Sequence, residues 1–385
     1  MKTLWTGADI YLPSGKFARG HLLVSEDGRI EAAGKQIGHQ PEEVNIHEAE
    51  GLIIVPGFID VHVHGGNGCN VMDAKYESLN EMSRFHAARG TTSFLATTNT
   101  SNQEHLISAL ACAADAITKG VEGAEMLGIH LEGPFISLKR RGAQLADDVR
   151  LPTPGQIDEL IQASGHMIKL VTLAPELDGG MEAVTQFRSH GITVSAGHSD
   201  ATFQQIKEAV TRGVTHTTHH FNGMSPLHHR DPGLAGAGLM LPELTIELIA
   251  DGHHVHPAVV RMMYDLKKAL QICAVTDAVT SCGLPDGDYG YKEMREGQVY
   301  LKGTNTLAGS SLTMIDALRN IMSFTGLSLE EVLPSFTTVP ARQVGIDFRK
   351  GSLEAGKDAD FLVLDSGLNV MSTWVKGRKV FDRLS

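Results

Sequence analysis

The sequence predicts an α/β protein: a (β/α)8 TIM-like barrel with a small β-sandwich domain built from both chain termini. Three observations indicate this fold. Short predicted strands, in which apolar and polar residues alternate, lie at both ends of the chain. In the middle, predicted strands are followed in turn by predicted helices, and polar side chains follow several of these strands. The 385 residues are enough for one large barrel with an appended domain.

Residues 1–54 form the N-terminal part of the predicted small domain. The run TLWTGADIYL alternates apolar and polar residues, and Asp27-Gly28 is typical of a hairpin turn. Residues 345–385, which include KDADFLVLDS, show the same pattern. Because matching short strands lie at both ends, we expect the two segments to assemble into one β domain.

Residues 55–344 alternate between apolar, β-branched runs and segments such as ATFQQIKEAVTRG, which have helical periodicity. Eight such alternations fit a closed barrel better than an open doubly wound sheet. No GxGxxG or Walker motif follows a strand, which disfavours nucleotide binding. The eight predicted strands are 55–64, 91–98, 124–132, 168–175, 192–198, 216–222, 245–251 and 270–277.

The composition disfavours several classes of partner. The formal net charge is -12 and no run of five basic residues exists, so we expect neither nucleic-acid nor membrane-surface binding. No apolar segment reaches the ~18 residues of a membrane span, and the N-terminus lacks a signal-peptide pattern. The four cysteines are scattered, as in a reduced protein. We therefore expect a cytoplasmic location.

The segment PGFIDVHVHGG places His62 and His64 at the end of an apolar run. On a strand, residues two apart point to the same face, so the two imidazoles lie side by side. Taken alone, this HxH pattern fits a metal site and a solvated strand end equally well.

Five of the eight predicted strands end in histidine, glutamate or aspartate, and barrel enzymes carry their chemistry at the carboxyl ends of strands. Converging buried imidazoles and carboxylates are costly unless a cation neutralises them. The pattern therefore predicts a divalent metal site. The residues concerned are His62, His64, Glu132, His198, His219 and Asp277.

The donors are nitrogen and oxygen without thiolate, a set that suits zinc foremost, and also iron, cobalt or manganese. Glu132, His198 and His219 provide three ligands and leave a position for water. His62 and His64 are placed to bind a second ion, so one or two ions per subunit are expected. Asp277 is the expected base that moves the proton of water.

In chain order, the motifs PGFIDVHVHG, HLEGPF, AGHSDAT, THHFNGM, ADGHHV, TDA and LAGSSLTM resemble the amidohydrolase superfamily, and within it the N-acetylglucosamine-6-phosphate deacetylases. The resemblance covers nearly the whole chain. It implies hydrolysis of the acetamide of an amino-sugar 6-phosphate, a main metal bound by Glu132, His198 and His219, and Asp277 as general base. It also implies a homodimer or a larger homo-oligomer.

The resemblance extends to substrate contacts. Arg230 matches a phosphate-binding arginine whose loop is expected to reach a neighbouring subunit, and His254 matches a substrate-contacting histidine. Many members have a histidine at the position of Gln144, where it polarises the acetamide carbonyl. Either Gln144 or a second metal is expected to replace it here. The remaining expected contacts are Ala143, Asn222, Gly223, Leu307, Ala308 and Gly309.

Other functions remain open at this point. One alternative is a deacetylase of the N-acetylgalactosamine 6-phosphate epimer, since the sequence does not fix which hexosamine is preferred. An amidohydrolase acting on a cyclic amide or a nucleobase would share the ligands but would need no phosphate contact. A barrel serving only as an assembly scaffold is disfavoured, because the ligands and Asp277 are all present.

Overall fold

A computed structural model describes residues 1–37 and 44–383. Two eight-stranded sheets organise these residues: one combines strands from both termini, and the other forms the barrel. Small parts of the predicted terminal segments, at 38–43 and 384–385, lie outside the described residues. No helix in the described ranges is both long and apolar enough to cross a bilayer.

The strands of the described residues are β1 (Lys2–Tyr11), β2 (Phe17–Val24), β3 (Ile30–Gly34), β4 (Val44–Glu48), β5 (Ile53–Pro56), β6 (Phe58–Val63), β7 (Gly65–Gly66), β8 (Cys69–Asn70), β9 (Thr91–Thr98), β10 (Glu125–Glu132), β11 (Ile168–Leu173), β12 (Thr193–Ala196), β13 (Val214–Thr217), β14 (Thr245–Ile249), β15 (Ile272–Val275), β16 (Gly287–Tyr289), β17 (Lys292–Arg295), β18 (Gln298–Leu301), β19 (Phe361–Leu364), β20 (Val370–Val375) and β21 (Arg378–Asp382). The α-helices are α1 (Tyr76–Ala87), α2 (Gln103–Lys119), α3 (Pro154–Ala163), α4 (Gly180–Ser189), α5 (Phe203–Arg212), α6 (Gly233–Met240), α7 (Pro257–Lys267), α8 (Met314–Thr325), α9 (Leu329–Val332) and α10 (Thr338–Gln343).

The sheet built from both termini joins β1–β5 to β19–β21, with β5 paired to β19. It branches at β1, whose first half pairs with β4 and whose second half pairs with β5. In its core, Trp5 lies 4.8 Å from both Phe361 and Trp374, measured between ring centroids. Such aromatic contacts stabilise a small core beyond their buried area. The predicted β domain from the two termini is confirmed.

The second sheet is parallel and runs in chain order from β6 through β9–β15. One of its strands lies at each of the eight predicted places, so the predicted barrel is confirmed. Its first and last strands meet where the Asp277 N–H donates to the His62 carbonyl at 2.9 Å and Val63 bridges Ala278. Amphipathic helices such as α2 and α5 bury their apolar faces against the outside of the barrel.

Most predicted strands are slightly longer than the observed ones, and two of the differences change the description of the fold. The predicted strand 55–64 is divided at Gly57, since β5 belongs to the terminal sheet and β6 to the barrel. Both halves are buried, so a continuous apolar run conceals the junction. The predicted strand 216–222 ends at Thr217, and the backbone turns at His219, where φ is 29°.

Candidate active site

Five of the six predicted strand-end residues line a cavity of about 310 Å³ at the mouth of the barrel, and His62 is buried behind them. Glu132 lies at the centre of the cluster. Its Oε1 is 3.3 Å from both His198 Nε2 and His219 Nε2, and 3.4 Å from His62 Nε2. Its Oε2 is 3.4 Å from His64 Nε2. The barrel therefore brings together side chains that are far apart in the sequence.

Asp277 completes the cluster just beyond β15. Its Oδ1 lies 3.3 Å from His64 Nε2 and 3.6 Å from His62 Nε2. Burial would raise the pKa of Asp277, but the two imidazoles lower it below its usual range. Asp277 is therefore a carboxylate that is able to accept a proton.

The orientation of the imidazoles fits a metal site. The Nδ1 atoms of His64, His198 and His219 donate to backbone carbonyl oxygens at 3.2, 2.9 and 3.1 Å, which leaves each Nε2 with a free lone pair. His198 Nε2 and His219 Nε2 are 3.1 Å apart, and His62 Nε2 and His64 Nε2 are 3.3 Å apart. Lone pairs that face each other repel unless positive charge lies between them. Two donor groups fit such a cation, His62–His64–Glu132 and Glu132–His198–His219.

The charge around His62 leads to the same conclusion. Burial lowers the pKa of His62, yet the carboxylates of Glu247, Asp277 and Glu132 raise it to about 10. The cluster therefore has an excess of negative charge, which a divalent cation would neutralise.

Three site residues have a left-handed backbone: His198 at φ 47°, His219 at φ 29° and Asp277 at φ 50°. Two of the predicted substrate residues are glycines that permit this arrangement. A Cβ on Gly223 would lie 2.9 Å from His198 Nδ1, and a Cβ on Gly309 would lie 3.0 Å from the Asp277 carbonyl oxygen. Both glycines also have positive φ, so a side chain at either position would be strained.

Most of the predicted substrate residues lie on the cavity wall. Gln144 Nε2 donates to Glu132 Oε2 at 2.7 Å, and its Oε1 accepts the Thr100 N–H at 3.0 Å, so Gln144 orients Glu132. His254 Nδ1 donates to Asp251 Oδ2 at 2.6 Å, which leaves its Nε2 available to a ligand. The lining residues among those predicted are Ala143, Gln144, Asn222, Gly223, His254, Leu307, Ala308 and Gly309.

Arg230 is the predicted substrate residue that does not line this cavity. It lies in an exposed loop, where its Nη1 is 3.0 Å from His229 Nε2. The contact of Arg230 with substrate, from the loop of a neighbouring subunit, therefore stays a prediction.

A sequence profile of the Amidohydrolase family matches residues 53–380. The chain belongs to this family. It is 41% identical over 366 residues to the N-acetylglucosamine-6-phosphate deacetylase of Vibrio furnissii, a match that covers 94% of this chain and 90% of that protein. It is 37% identical to the N-acetylgalactosamine-6-phosphate deacetylase of Escherichia coli O157:H7, over 94% of this chain and 98% of that protein.

A solved structure shows the same architecture. A mutant of the N-acetyl-D-glucosamine-6-phosphate deacetylase of Mycobacterium smegmatis, in complex with N-acetyl-D-glucosamine-6-phosphate, aligns with a TM-score of 0.91 at 32% identity. The alignment covers 98% of this chain and 99% of that one. Amidohydrolases are metal-dependent, in agreement with the two donor groups of this chain.

Several residues on the cavity wall of this amidohydrolase were not predicted from the sequence, and Lys292 is the one among them that carries a charge. Lys292 begins β17, in the three-stranded sheet β16–β18, and is the only lysine or arginine among the described residues that line the cavity. Within the described chain its Nζ forms no hydrogen bond or ion pair, and the Tyr291 ring centroid lies 5.5 Å away. Burial lowers the pKa of Lys292 to about 8. The segment GYKEMREG resembles an ordinary surface turn, so the sequence offered no signal.

Glu247, which lies behind the cavity, was also not predicted from the sequence. It lies in the middle of β14, in the apolar run TIELI, and its Oε2 is 2.9 Å from His62 Nδ1. Burial would raise the pKa of Glu247, but His62 and His216 lower it well below its usual range. A glutamate inside an apolar strand is a signal that the sequence does contain. Glu247 lies in the middle of its strand, whereas the predicted site residues lie at strand ends.

Proposed function

We propose that this amidohydrolase removes the acetyl group of N-acetylglucosamine 6-phosphate, giving glucosamine 6-phosphate and acetate. The observation that carries the proposal is the convergence of Glu132, His198, His219 and Asp277 on one cavity, in a chain 41% identical to a deacetylase of that name. The cavity of about 310 Å³ suits one small molecule such as a sugar phosphate.

Glu132, His198 and His219 would bind the main cation, and His62 and His64 together with Glu132 would bind a second. Their nitrogen and oxygen donors suit zinc foremost, and also iron, cobalt or manganese. When bound, a divalent cation supplies Lewis acidity, which activates water and polarises an amide carbonyl.

Asp277 moves the proton in the proposed mechanism. As a carboxylate, it accepts the proton of the attacking water and then passes it to the departing amine nitrogen. Gln144 holds Glu132 through one amide N–H, and its second N–H is available to the acetamide oxygen.

The 6-phosphate takes no part in the chemistry, and its binding energy positions the acetamide beside Asp277. Lys292 supplies a cation from the same chain, and Arg230 supplies one from a neighbouring subunit. The Nε2 of His254 offers a further contact. The sugar lies against Asn222, Gly223, Leu307, Ala308 and Gly309.

Acetate release from three substrates tests the proposed function: the 6-phosphates of N-acetylglucosamine and N-acetylgalactosamine, and unphosphorylated N-acetylglucosamine. We expect the highest kcat/KM for N-acetylglucosamine 6-phosphate and loss of turnover after chelation. A higher value for the galactosamine epimer would reassign the substrate, an alternative that the Escherichia coli relative favours. Hydrolysis of a cyclic amide without turnover of either sugar phosphate would contradict the proposal.

We further infer a homodimer that works in the cytoplasm and binds neither nucleic acid nor membrane. The net charge of -12 supports the absence of polyanionic partners, and the exposed loop of Arg230 is available to a second subunit. Light scattering combined with the acetate assay tests the assembly. A monomer with full activity on the phosphorylated substrate would contradict the role of the second subunit.

A further inference from the structure

Glu247 is fully buried beneath the metal-binding cluster but belongs to neither donor group. Its Oε2 accepts from His62 Nδ1 at 2.9 Å and from the backbone N–H of His219 at 2.9 Å. Its Oε1 lies 3.1 Å from His216 Nε2. A buried carboxylate is costly unless such hydrogen bonds compensate for the lost water. The three hydrogen-bond donors therefore hold the carboxylate of Glu247 in one position.

The contact with His62 determines which ring nitrogen is free. A histidine that binds a cation is a neutral imidazole with one N–H, because the cation replaces the second proton, and a carboxylate can only accept. The proton of His62 therefore lies on Nδ1, and the lone pair of Nε2 faces Glu132 and His64. The other three histidines of the cluster donate to neutral backbone carbonyls, so His62 is the one ligand oriented by a charged group.

The second contact of Glu247 connects the two donor groups. Its Oε2 also accepts the N–H of His219, whose backbone has the strained φ of 29°. His216 holds the other oxygen from below, and its own Nδ1 lies 3.3 Å from Gln343 Oε1. A single carboxylate thus orients a side chain of one donor group and the backbone of the other.

We propose that Glu247 is a positioning residue that keeps His62 in its metal-binding tautomer and thereby controls occupancy of the donor group His62–His64–Glu132. The inference rests on the metal dependence of the proposed function. A glutamine in its place has one carbonyl oxygen for three donors, and its NH₂ would face one of them. An NH₂ directed at His62 Nδ1 would move the ring proton to Nε2, where it blocks the cation.

The test compares Glu247→Gln with Asp60→Asn as a matched control. Asp60 is also fully buried and accepts the backbone N–H of His62 at 3.2 Å, but it does not contact the ring. Each protein is reconstituted with zinc, and bound metal is measured by mass spectrometry during stepwise chelation. We expect Glu247→Gln to weaken the affinity of the less tightly bound ion by about 10- to 100-fold, with Asp60→Asn unchanged. The visible absorption of the cobalt-substituted protein should change only in Glu247→Gln.

Equal metal content and equal cobalt spectra in Glu247→Gln and wild type would overturn the proposal, and so would an equal loss in Asp60→Asn. If Glu247→Gln does not fold, Glu247→Asp is compared in the same way, because it keeps the charge but withdraws the oxygens from His62. Metal content is measured without substrate, so acetate release by the wild type tests the proposed function separately.

Discussion

At the scale of single residues, the site depends on side chains held by a strained backbone. His198, His219 and Asp277 adopt left-handed conformations that cost residues other than glycine on the order of 1–3 kcal/mol each. Hydrogen bonds impose these conformations: at Asp277 the N–H donates to the His62 carbonyl at 2.9 Å, and the carbonyl accepts the Ser310 N–H at 2.8 Å. The strained backbone therefore lowers the folding stability at these three residues, where the chemistry requires side chains with fixed directions.

Asp277→Asn should preserve the fold and the metal content but remove turnover. Asparagine has the same shape and tolerates a left-handed backbone, but it cannot accept the proton of water. We expect kcat to fall by roughly 10²- to 10⁴-fold, measured as acetate release. A variant that retains more than about a tenth of the wild-type rate would remove Asp277 from the mechanism.

Lys292→Ala should raise KM for the 6-phosphate substrate far more than for unphosphorylated N-acetylglucosamine. The unpaired Nζ of Lys292 is the cation that this chain presents to its own cavity. Loss of a charge-assisted contact costs roughly 2–3 kcal/mol, or about 30- to 150-fold in kcat/KM. Lys302→Ala, which changes an exposed lysine directly after β18, serves as the control. An equal effect on both substrates would place Lys292 at the acetamide end instead.

Arg230→Ala should also raise KM for the 6-phosphate substrate far more than for unphosphorylated N-acetylglucosamine. We expect Arg230 to act on the active site of a neighbouring subunit. Its guanidinium suits phosphate oxygens, yet the loop lies outside the cavity of its own chain. We expect a loss of about 30- to 150-fold in kcat/KM for the 6-phosphate. Mixed dimers that combine Arg230→Ala with Asp277→Asn subunits should regain activity, since one site then has both residues. No recovery would show that Arg230 acts within its own chain or only on the fold.

At the scale of elements, β6 carries the second donor group to the barrel. His62 is the penultimate residue of β6 and His64 follows its last residue, so one strand supplies two donors to the same face. The double variant His62→Ala/His64→Ala should lower the metal content from two ions per chain to about one, because Glu132, His198 and His219 remain. Mass spectrometry after reconstitution measures this number. A fully active wild type with a single ion bound only through Glu132 and His219 would contradict the prediction.

The order of the elements could be predicted from sequence because buried parallel strands are apolar runs between amphipathic helices. Candidate ligands such as Glu132 followed from the rule that barrel sites lie at strand ends. Lys292 could not be predicted, since its burial depends on how β16–β18 pack beside the mouth. The division of the first run at Gly57 was also hidden, because two different sheets bury its two halves.

At the scale of the whole molecule, a network of charges fastens the barrel to the sheet from the termini. Glu125 begins β10, and its carboxylate lies 2.6 Å from Lys350 Nζ and 3.0 Å from Arg349 Nη2. Lys350 also pairs with Asp358 and Asp360. Glu125, Asp358 and Asp360 have the spacing of a metal site, but the two cations already occupy the space between them. The network is therefore a structural clamp.

The clamp should make stability depend on pH in the acid range. Burial would raise the pKa of Glu125, but Lys350 and Arg349 lower it to about 2. A depressed folded-state pKa stabilises the protein above the unfolded value, and this contribution disappears as pH falls from about 4.5 to about 2. Over this pH range, we expect the free energy of unfolding to change by on the order of 3 kcal/mol less in Glu125→Gln than in wild type. Urea titration at several pH values measures this difference.

The difference between wild type and Glu125→Gln reports the titration of Glu125 itself. Burial raises the pKa of Asp360 in the same network, so that residue contributes with the opposite sign in both proteins. Glu182→Gln, at an exposed glutamate, should leave the curve unchanged. Parallel pH curves for wild type and Glu125→Gln would show that the clamp contributes nothing to acid sensitivity.

The seam of the barrel has a consequence for the newly made chain. Asp277 lies where the last strand joins the first, whereas Glu132 ends β10 and His198 and His219 follow β12 and β13. Synthesis proceeds from the N-terminus, so the ribosome releases these three donors before the strand that carries Asp277. A growing chain can therefore acquire its metal donors before it can catalyse anything. Hydrolysis begins only after the ring of strands is complete and the cavity residues Leu307, Ala308 and Gly309, which follow it in the chain, have been made.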